Sequence, residues 1–159
     1  DIIKDTVRMD LGSGVNFVSG SADISPGGSK FLREYLPKVL EAAQTDRGQK
    51  WLKRVVVEGF TDTDGTYLFN LDLSLQRSRK VVCAMFAPAQ NGEQEMSQAE
   101  LEQIRDLFLV GGYSFNSVQE SKAKSRRVEL KLEFWQPGEK EQAEKLPRPD
   151  LSGKDFGKC

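Results

Sequence analysis

The feature that most constrains this chain is a change of hydrophobic period within one short stretch. Residues 52–57 form a brief apolar run rich in Val that ends at Gly59, and a polar loop over 61–66 follows. Beyond it, Leu71, Leu75, Ser78, Val82 and Met85 recur at helical spacing. A short apolar run suits a central strand covered on both faces, and the switch to a 3.6-residue period predicts a helix whose Leu71 to Met85 stripe faces inward.

The same alternation extends along the chain. Val7, Met9 and Leu11, then Val15 and Phe17, alternate with polar residues and predict one or two half-buried strands. Ser25 and Pro26 read as an N-cap and first-turn proline for a helix carrying Phe31, Leu32, Tyr35, Leu36, Val39, Leu40 and Ala43, with Pro37 expected to kink or divide it. Ser97 and Glu100 form a capping box for a helix bearing Leu101, Ile104, Leu107 and Phe108, which Gly111 and Gly112 are expected to end. A short strand is expected over 113–115 and a longer one over 128–134, with Val128, Leu130, Leu132 and Phe134 inward. The pattern is α/β, an α+β sandwich with helices packed on one face of a mixed sheet of about four strands. It divides into a domain over 1–135, with an inserted helix at about 97–110, and an extension or tail over 136–159 anchored only by Leu146, Leu151 and Phe156.

Composition then removes functions. There is no His, which excludes Ser-His-Asp and Cys-His nucleophilic sites, His-ligated zinc and His general bases. Two Cys cannot make a four-thiolate zinc site. Lys plus Arg total 23 against 24 Asp plus Glu, a net charge of -1, which argues against a nucleic-acid partner. No apolar run approaches the roughly 18 residues of a membrane span, and the first ten residues lack a signal-peptide pattern. The chain reads as starting like a cut fragment, with any anchor or export signal upstream. Cys83 sits in a helical pattern and Cys159 ends the sequence; they are either one buried and one exposed thiol or a pair.

The loop Asp62-Thr63-Asp64-Gly65-Thr66 admits three chemistries. It resembles the Asp-x-Asp-Gly-Thr of haloacid-dehalogenase-like phosphatases, with Asp62 as nucleophile and Asp64 as acid/base, but the later acidic pair such an enzyme needs for its metal is missing. It also begins like a calcium loop, yet Tyr67 and Leu73 stand where an EF-hand requires Gly and Glu. The third reading uses more residues. After Gly59-Phe60-Thr61-Asp62 and Gly65, the positions Asn70, Leu73, Ser74 and Arg77 share one helical face, distinct from the Leu71 to Met85 stripe, so an anion and a cation can border one cleft.

These residues resemble the OmpA-like peptidoglycan-binding domain of OmpA, Pal and the flagellar stator protein MotB, whose motif is Gly-His-Thr-Asp, Gly, Asn-x-x-Leu-Ser-x-x-Arg-Ala. Phe17 followed by Gly20-Ser21-Ala22-Asp23-Ile24 and Pro26 resembles the family's opening, and Ser125-Arg126-Arg127-Val128-Glu129-Leu130 its last strand. The resemblance spans about residues 7–134 and implies a βαβαβ-type domain without enzymatic activity, metal or cofactor. It implies peptidoglycan as partner, through the diaminopimelate of the stem peptide. Asp62 would meet the ammonium and Arg77 the carboxylate, with Asn70, Leu73 and Phe69 lining the groove and Thr61, Phe17 and Arg127 in support. The bland alternative for Asp62 and Arg77 is an internal salt bridge tying loop to helix.

Departures mark a specialised branch. Phe60 replaces the usual His, Ser78 an Ala, and Val18 an Asp, and the segment 88–109 is longer than in the simplest members. The Gly-Ser-Ala start is more like MotB-type stators than a Pal-type outer-membrane tether, and the divergence points toward the MotB-like subunit of the Zorya antiphage motor. The resemblance thus implies a periplasmic location in a Gram-negative cell, a homodimer, and a MotA-like membrane subunit reached through an upstream transmembrane segment. In an oxidising periplasm it also favours a Cys83 to Cys159 bridge stapling the tail, or a Cys159 pairing across a dimer.

Overall fold

The computed structural model describes residues 6–90 and 93–159. Eight elements build the body of the fold: β1 (Thr6–Asp10), α1 (Pro26–Gln44), α2 (Asp46–Trp51), β2 (Leu52–Gly59), α3 (Tyr67–Phe86), α4 (Gln98–Leu107), β3 (Phe108–Gly112) and, after the single turn α5 (Lys122–Ser125), β4 (Val128–Phe134). A short helix, α6 (Glu139–Glu144), follows. The sheet order is β1-β4-β2-β3, antiparallel except for the parallel β2–β3 pair. This is the expected mixed four-stranded sheet.

Its two faces differ because the strands alternate. Val55, Val57, Val128 and Leu130 point to one side and pack with Leu32, Leu36 and Leu40 of α1, Val81 and Met85 of α3 and Ile104 of α4. The other side is a charged lattice: Arg8 reaches Glu58 and Glu129, Lys131 reaches Glu58 and Glu133, and Arg54 pairs with Glu133. Arg54 and Glu133 face one another directly, whereas Arg8 faces Lys131 and Glu58 faces Glu129, so the other ion pairs run diagonally or along a strand; together the charges keep this face from joining a second core.

Several boundaries differ from the sequence reading, each for a local reason. β1 stops at Asp10 because its Oδ1 accepts from the Gly12 amide at 2.7 Å and turns the chain into a single 3-10 turn. Val15 and Phe17 are therefore buried without belonging to a strand. Pro37 does not divide α1, which runs continuously over Pro26–Gln44. Thr45 supplies an extra helix by serving both neighbours: its hydroxyl donates to the Ala42 carbonyl and accepts from the Gly48 amide. The capped helix at Ser97 is present with both capping-box bonds, but it ends at Leu107. Phe108–Gly112 is then the strand, and 113–115 is not. The two glycines belong inside β3 because Gly112 abuts the Ser74 hydroxyl and the Leu75 backbone.

The largest correction concerns which side of α3 faces the sheet. Asn70, Leu73, Ser74, Arg77, Ser78, Val81 and Met85 are buried; of the predicted inward stripe Ser78 and Met85 thus go in, Leu71 and Val82 are partly buried, and Leu75 is 40% exposed. The polar stripe wins because the strands beneath it present Gly59 and Gly112. A Cβ on Gly59 would lie 2.0 Å from the Ser74 carbonyl oxygen, so helix and sheet meet backbone to backbone there. Ser74 completes the joint by accepting from the Ser114 amide at 3.1 Å and donating to the Leu71 carbonyl at 2.8 Å.

The segment read as a tail is docked. Trp135 donates its amide to the Trp51 carbonyl, Lys53 pairs with Glu139, Arg105 donates to the Leu151 carbonyl, and Phe156 meets Phe86 edge to face. Cys159 then forms a disulfide with Cys83 on α3. Arg33, buried in α1, donates to the Ala84 and Ala87 carbonyls, satisfying orphan acceptors at the C-terminal end of α3.

Two stability measurements check this architecture. Gly59→Ala is expected to cost about 3 kcal/mol in urea unfolding through the clash with Ser74, while Gly27→Ala, whose Cβ would meet nothing nearer than 3.9 Å, leaves stability unchanged or slightly higher. Replacing Cys83 and Cys159 together by Ser opens a loop with a sequence separation of 76. That is expected to cost about 4 kcal/mol in the chain-entropy account.

Candidate functional site

The site lies where β2 ends and α3 begins. Phe60 and Thr61 continue the chain past the sheet, held by bonds from the Phe60 amide to the Arg127 carbonyl and from the Thr61 amide to the Ser114 carbonyl. Asp62 then closes a tight turn, its Oδ1 accepting from the Asp64 amide at 2.9 Å. Gly65 takes the left-handed backbone (φ 93°) that brings the chain round to Thr66, whose hydroxyl caps α3 by accepting from the Phe69 amide. Asn70 locks this loop from below. Its Nδ2 donates to the Asp64 and Thr66 carbonyls at 2.8 and 2.9 Å, while its Oδ1 is buried with no hydrogen-bond partner.

Arg77 is fully buried (0% exposed) and joins three segments. Its Nε donates to the Ser21 carbonyl at 2.9 Å, Nη1 to Phe60 at 3.0 Å and Nη2 to Val18 at 3.2 Å, and its guanidinium lies 5.0 Å over the Phe17 ring. Burial pushes its pKa down to about 10, partly offset by the Asp62 charge, so it remains charged at neutral pH.

Asp62 takes its ion pair from the residue that follows α5, two positions before β4. Its Oδ2 accepts from Arg126 Nη1 at 2.8 Å, and Arg126 Nε donates to the Phe17 carbonyl at 3.1 Å. Burial alone would raise the Asp62 pKa, but the Arg126 bond, the Asp64 amide and the charges of Arg126 and Arg77 outweigh it and hold the carboxyl below its ordinary 3.8. Arg127 turns away, lying 4.0 Å over the Phe60 ring and donating to the Ser117 carbonyl. Thr61 spends its hydroxyl on the Asp62 carbonyl, and Lys122 pairs with Asp64 at 2.6 Å.

The fold thus gathers Phe17, Thr61, Asp62, Asn70, Leu73 and Arg77 at one end of the sheet. Leu73 is buried, while Phe69 stands at the rim, 54% exposed, beside the more exposed Leu68. Sequence reasoning placed Arg126 only as part of a matching strand. Its Arg-Arg doublet was the available signal, but only the fold shows that the first Arg reaches across to Asp62. Lys122 had no signal at all. Asp62 and Asp64, the pair of the phosphatase reading, turn to different cations. Chemically the turn holds a carboxylate kept ionised and guanidiniums fixed by backbone carbonyls.

The geometry defines the class: the fold is that of the OmpA-like periplasmic domains. It superimposes on the periplasmic domain of Helicobacter pylori MotB with a TM-score of 0.57 at 15% identity, covering 93% of this chain and 89% of that one. The OmpA-like domain of FopA1 from Francisella tularensis gives 0.51 at 17% identity, covering 86% and 81%. In sequence, the chain is 43% identical over 144 residues to the Zorya protein ZorB of Escherichia coli O139:H28, covering 91% of this chain and 58% of ZorB. It spans a little more than half the length of the curated relatives it matches. No family model matches the chain.

The depressed Asp62 pKa fixes the sign of a pH effect. An ionised Asp62 stabilises the fold at pH values above about 3.8, and that contribution is lost as pH falls through the lower folded-state pKa. Arg126→Gln removes the principal partner. It is expected to lower stability at pH 7 by about 2 kcal/mol and to move the acid limb of the urea-midpoint profile to higher pH.

Proposed function

We propose that this chain is a non-catalytic domain that binds peptidoglycan and anchors a MotA/MotB-like motor complex to the cell wall, in antiphage defence. The observation that carries the reading is the Asp62–Arg126–Arg77 cluster at the strand-to-helix turn, supported by the MotB-type fold and the similarity to ZorB. In this reading the ligand is the diaminopimelate of the stem peptide. Its ammonium approaches Asp62, its carboxylate is drawn by the field of Arg77, and Asn70, Leu73 and Phe69 line the approach, with Phe17, Thr61 and Arg127 holding the walls.

The burial of Arg77 refines its part. Three of its five N–H groups are committed to backbone carbonyls, so it acts chiefly as a fixed positive charge beneath the cleft. A site of a few charge-assisted hydrogen bonds in a wet groove binds in roughly the micromolar to millimolar range. A homodimer presenting two such sites to one polymer gains apparent affinity without new contacts. The domain then works on the periplasmic side of a membrane-anchored protein, with a MotA-like subunit in the membrane. Among the described residues no helix is long and apolar enough to cross a membrane, so the anchoring segment of this reading lies outside them.

Co-sedimentation with purified sacculi tests the proposal. Asp62→Asn keeps the shape of the turn and removes the charge, and Phe69→Ala alters only the rim. Asp62→Asn is expected to weaken retention at least ten-fold and Phe69→Ala several-fold, both still unfolding in one cooperative thermal transition, at a lower midpoint for Asp62→Asn because its bond to Arg126 loses a charge. Undiminished retention of both folded variants, or no retention of the unaltered chain, overturns the assignment.

A further inference from the structure

A second concavity, of about 490 Å³, opens at the far end of the sheet from Asp62. It lies between α1, α2 and the ends of β2 and β4 that face away from the 61–66 loop. Its walls are mainly apolar, and Met9, Tyr35, Val39, Trp51, Leu52 and Phe134 are among the residues that line it. These side chains are only partly buried: Met9, Tyr35, Val39 and Leu52 pack one side against the core and leave apolar surface exposed in the groove. Its volume falls within the roughly 300–1,000 Å³ typical of small-molecule pockets.

Two charged residues among those described line this groove, Lys38 and Arg47, and both are cations. Both are exposed, and neither takes part in an ion pair among the described residues. Among the described residues no carboxylate lines the groove. A mainly apolar trough with unpaired cations and no anion is complementary to a ligand with a hydrophobic body and a negative head.

We propose that this groove binds one acyl chain of an anionic lipid, with Trp51, Leu52, Val39 and Phe134 receiving the chain and Lys38 and Arg47 its head group. Apolar burial combined with attraction of basic residues to anionic head groups is the ordinary way a protein surface engages such a lipid. The topology supports a membrane as the source. β1 and β2 run in the same direction, since both are antiparallel to β4, so the described chain enters the sheet at the groove end and presents the Asp62 cleft at the other. Choosing a bilayer lipid over a soluble amphiphile rests on the wall-anchor reading, in which the end where the chain enters faces the membrane. The groove's chemistry does not rest on it.

The test uses the full chain carrying Trp135→Phe, so that Trp51 is the sole tryptophan, titrated with dodecyl phosphate below its critical micelle concentration. Saturable one-to-one binding with a blue shift of Trp51 emission is expected. Lys38→Glu with Arg47→Glu should weaken it at least ten-fold while the thermal transition is kept, and neutral dodecyl maltoside should bind at least ten-fold more weakly. Absence of saturable binding, equal binding of the neutral detergent, or indifference to charge reversal overturns the proposal. Vesicles then address the source: retention on phosphatidylglycerol but not phosphatidylcholine, lost in the double variant, is expected. Dodecyl phosphate binding without vesicle retention overturns the lipid assignment. Sacculus retention should be unchanged in the groove variants and dodecyl phosphate binding unchanged in Asp62→Asn, so failure of either site is distinguishable from failure of the other.

Discussion

The fold around the candidate site depends on one buried cation. Arg77 donates to backbone carbonyls of the opening segment at Val18 and Ser21 and to the strand exit at Phe60, so a single guanidinium joins pieces of chain 56, 59 and 17 residues away. Neither opening-segment carbonyl lies in a strand or helix; Val18 also accepts from the Ser21 amide in a turn, and Arg77 fastens that turn to the helix. Burying the charge is costly, and the neighbouring Asp62 lowers that cost. Asp62 in turn is held by Arg126, in the link between α5 and the last strand. Loop, helix, opening segment and closing strand are thereby tied through two positive groups and one negative one.

That arrangement needs a close approach between α3 and the sheet, which Gly59 and Gly112 supply. With helix and strands meeting at Ser74, the polar side of α3 is drawn inward and Arg77 sits deep enough to reach Phe60. Side chains on either glycine would lift the helix and separate the guanidinium from its acceptors. The charged lattice on the opposite face of the sheet has a complementary role. It leaves that face polar, so one layer of helices suffices to complete the core.

Much of this was legible in the sequence, and the failures share a cause. The caps at Ser25 and Ser97 and the apolar alternation of β4 are local signals, and the elements formed where they pointed. Asp62, Asn70 and Arg77 were legible as a spaced set on one loop and one helical face. The orientation of α3 was not, because a polar stripe is ordinarily solvated and its burial depends on glycines at 59 and 112 that only the folded sheet brings together. The partnership of Asp62 with Arg126 spans 64 residues and leaves no periodic trace. The strand over Phe108–Gly112 was hidden by its glycines, which resemble a helix stop until their packing against α3 is seen. The tail was too poor in apolar residues to announce its docking, since a disulfide, a few backbone bonds and one aromatic contact hold it in place of a second core.

The direction of β1 has a mechanical consequence. Tension applied between the start of β1 and the Asp62 end of the domain runs along the strand axes rather than across them. The five residue pairs joining β1 to β4 lie side by side perpendicular to that pull, so they are loaded together in shear. A hairpin pulled from one end opens one bond after another, whereas this geometry requires many to yield in the same event. The domain is thus built to resist stretching along the line that joins its entry strand to its charged cleft.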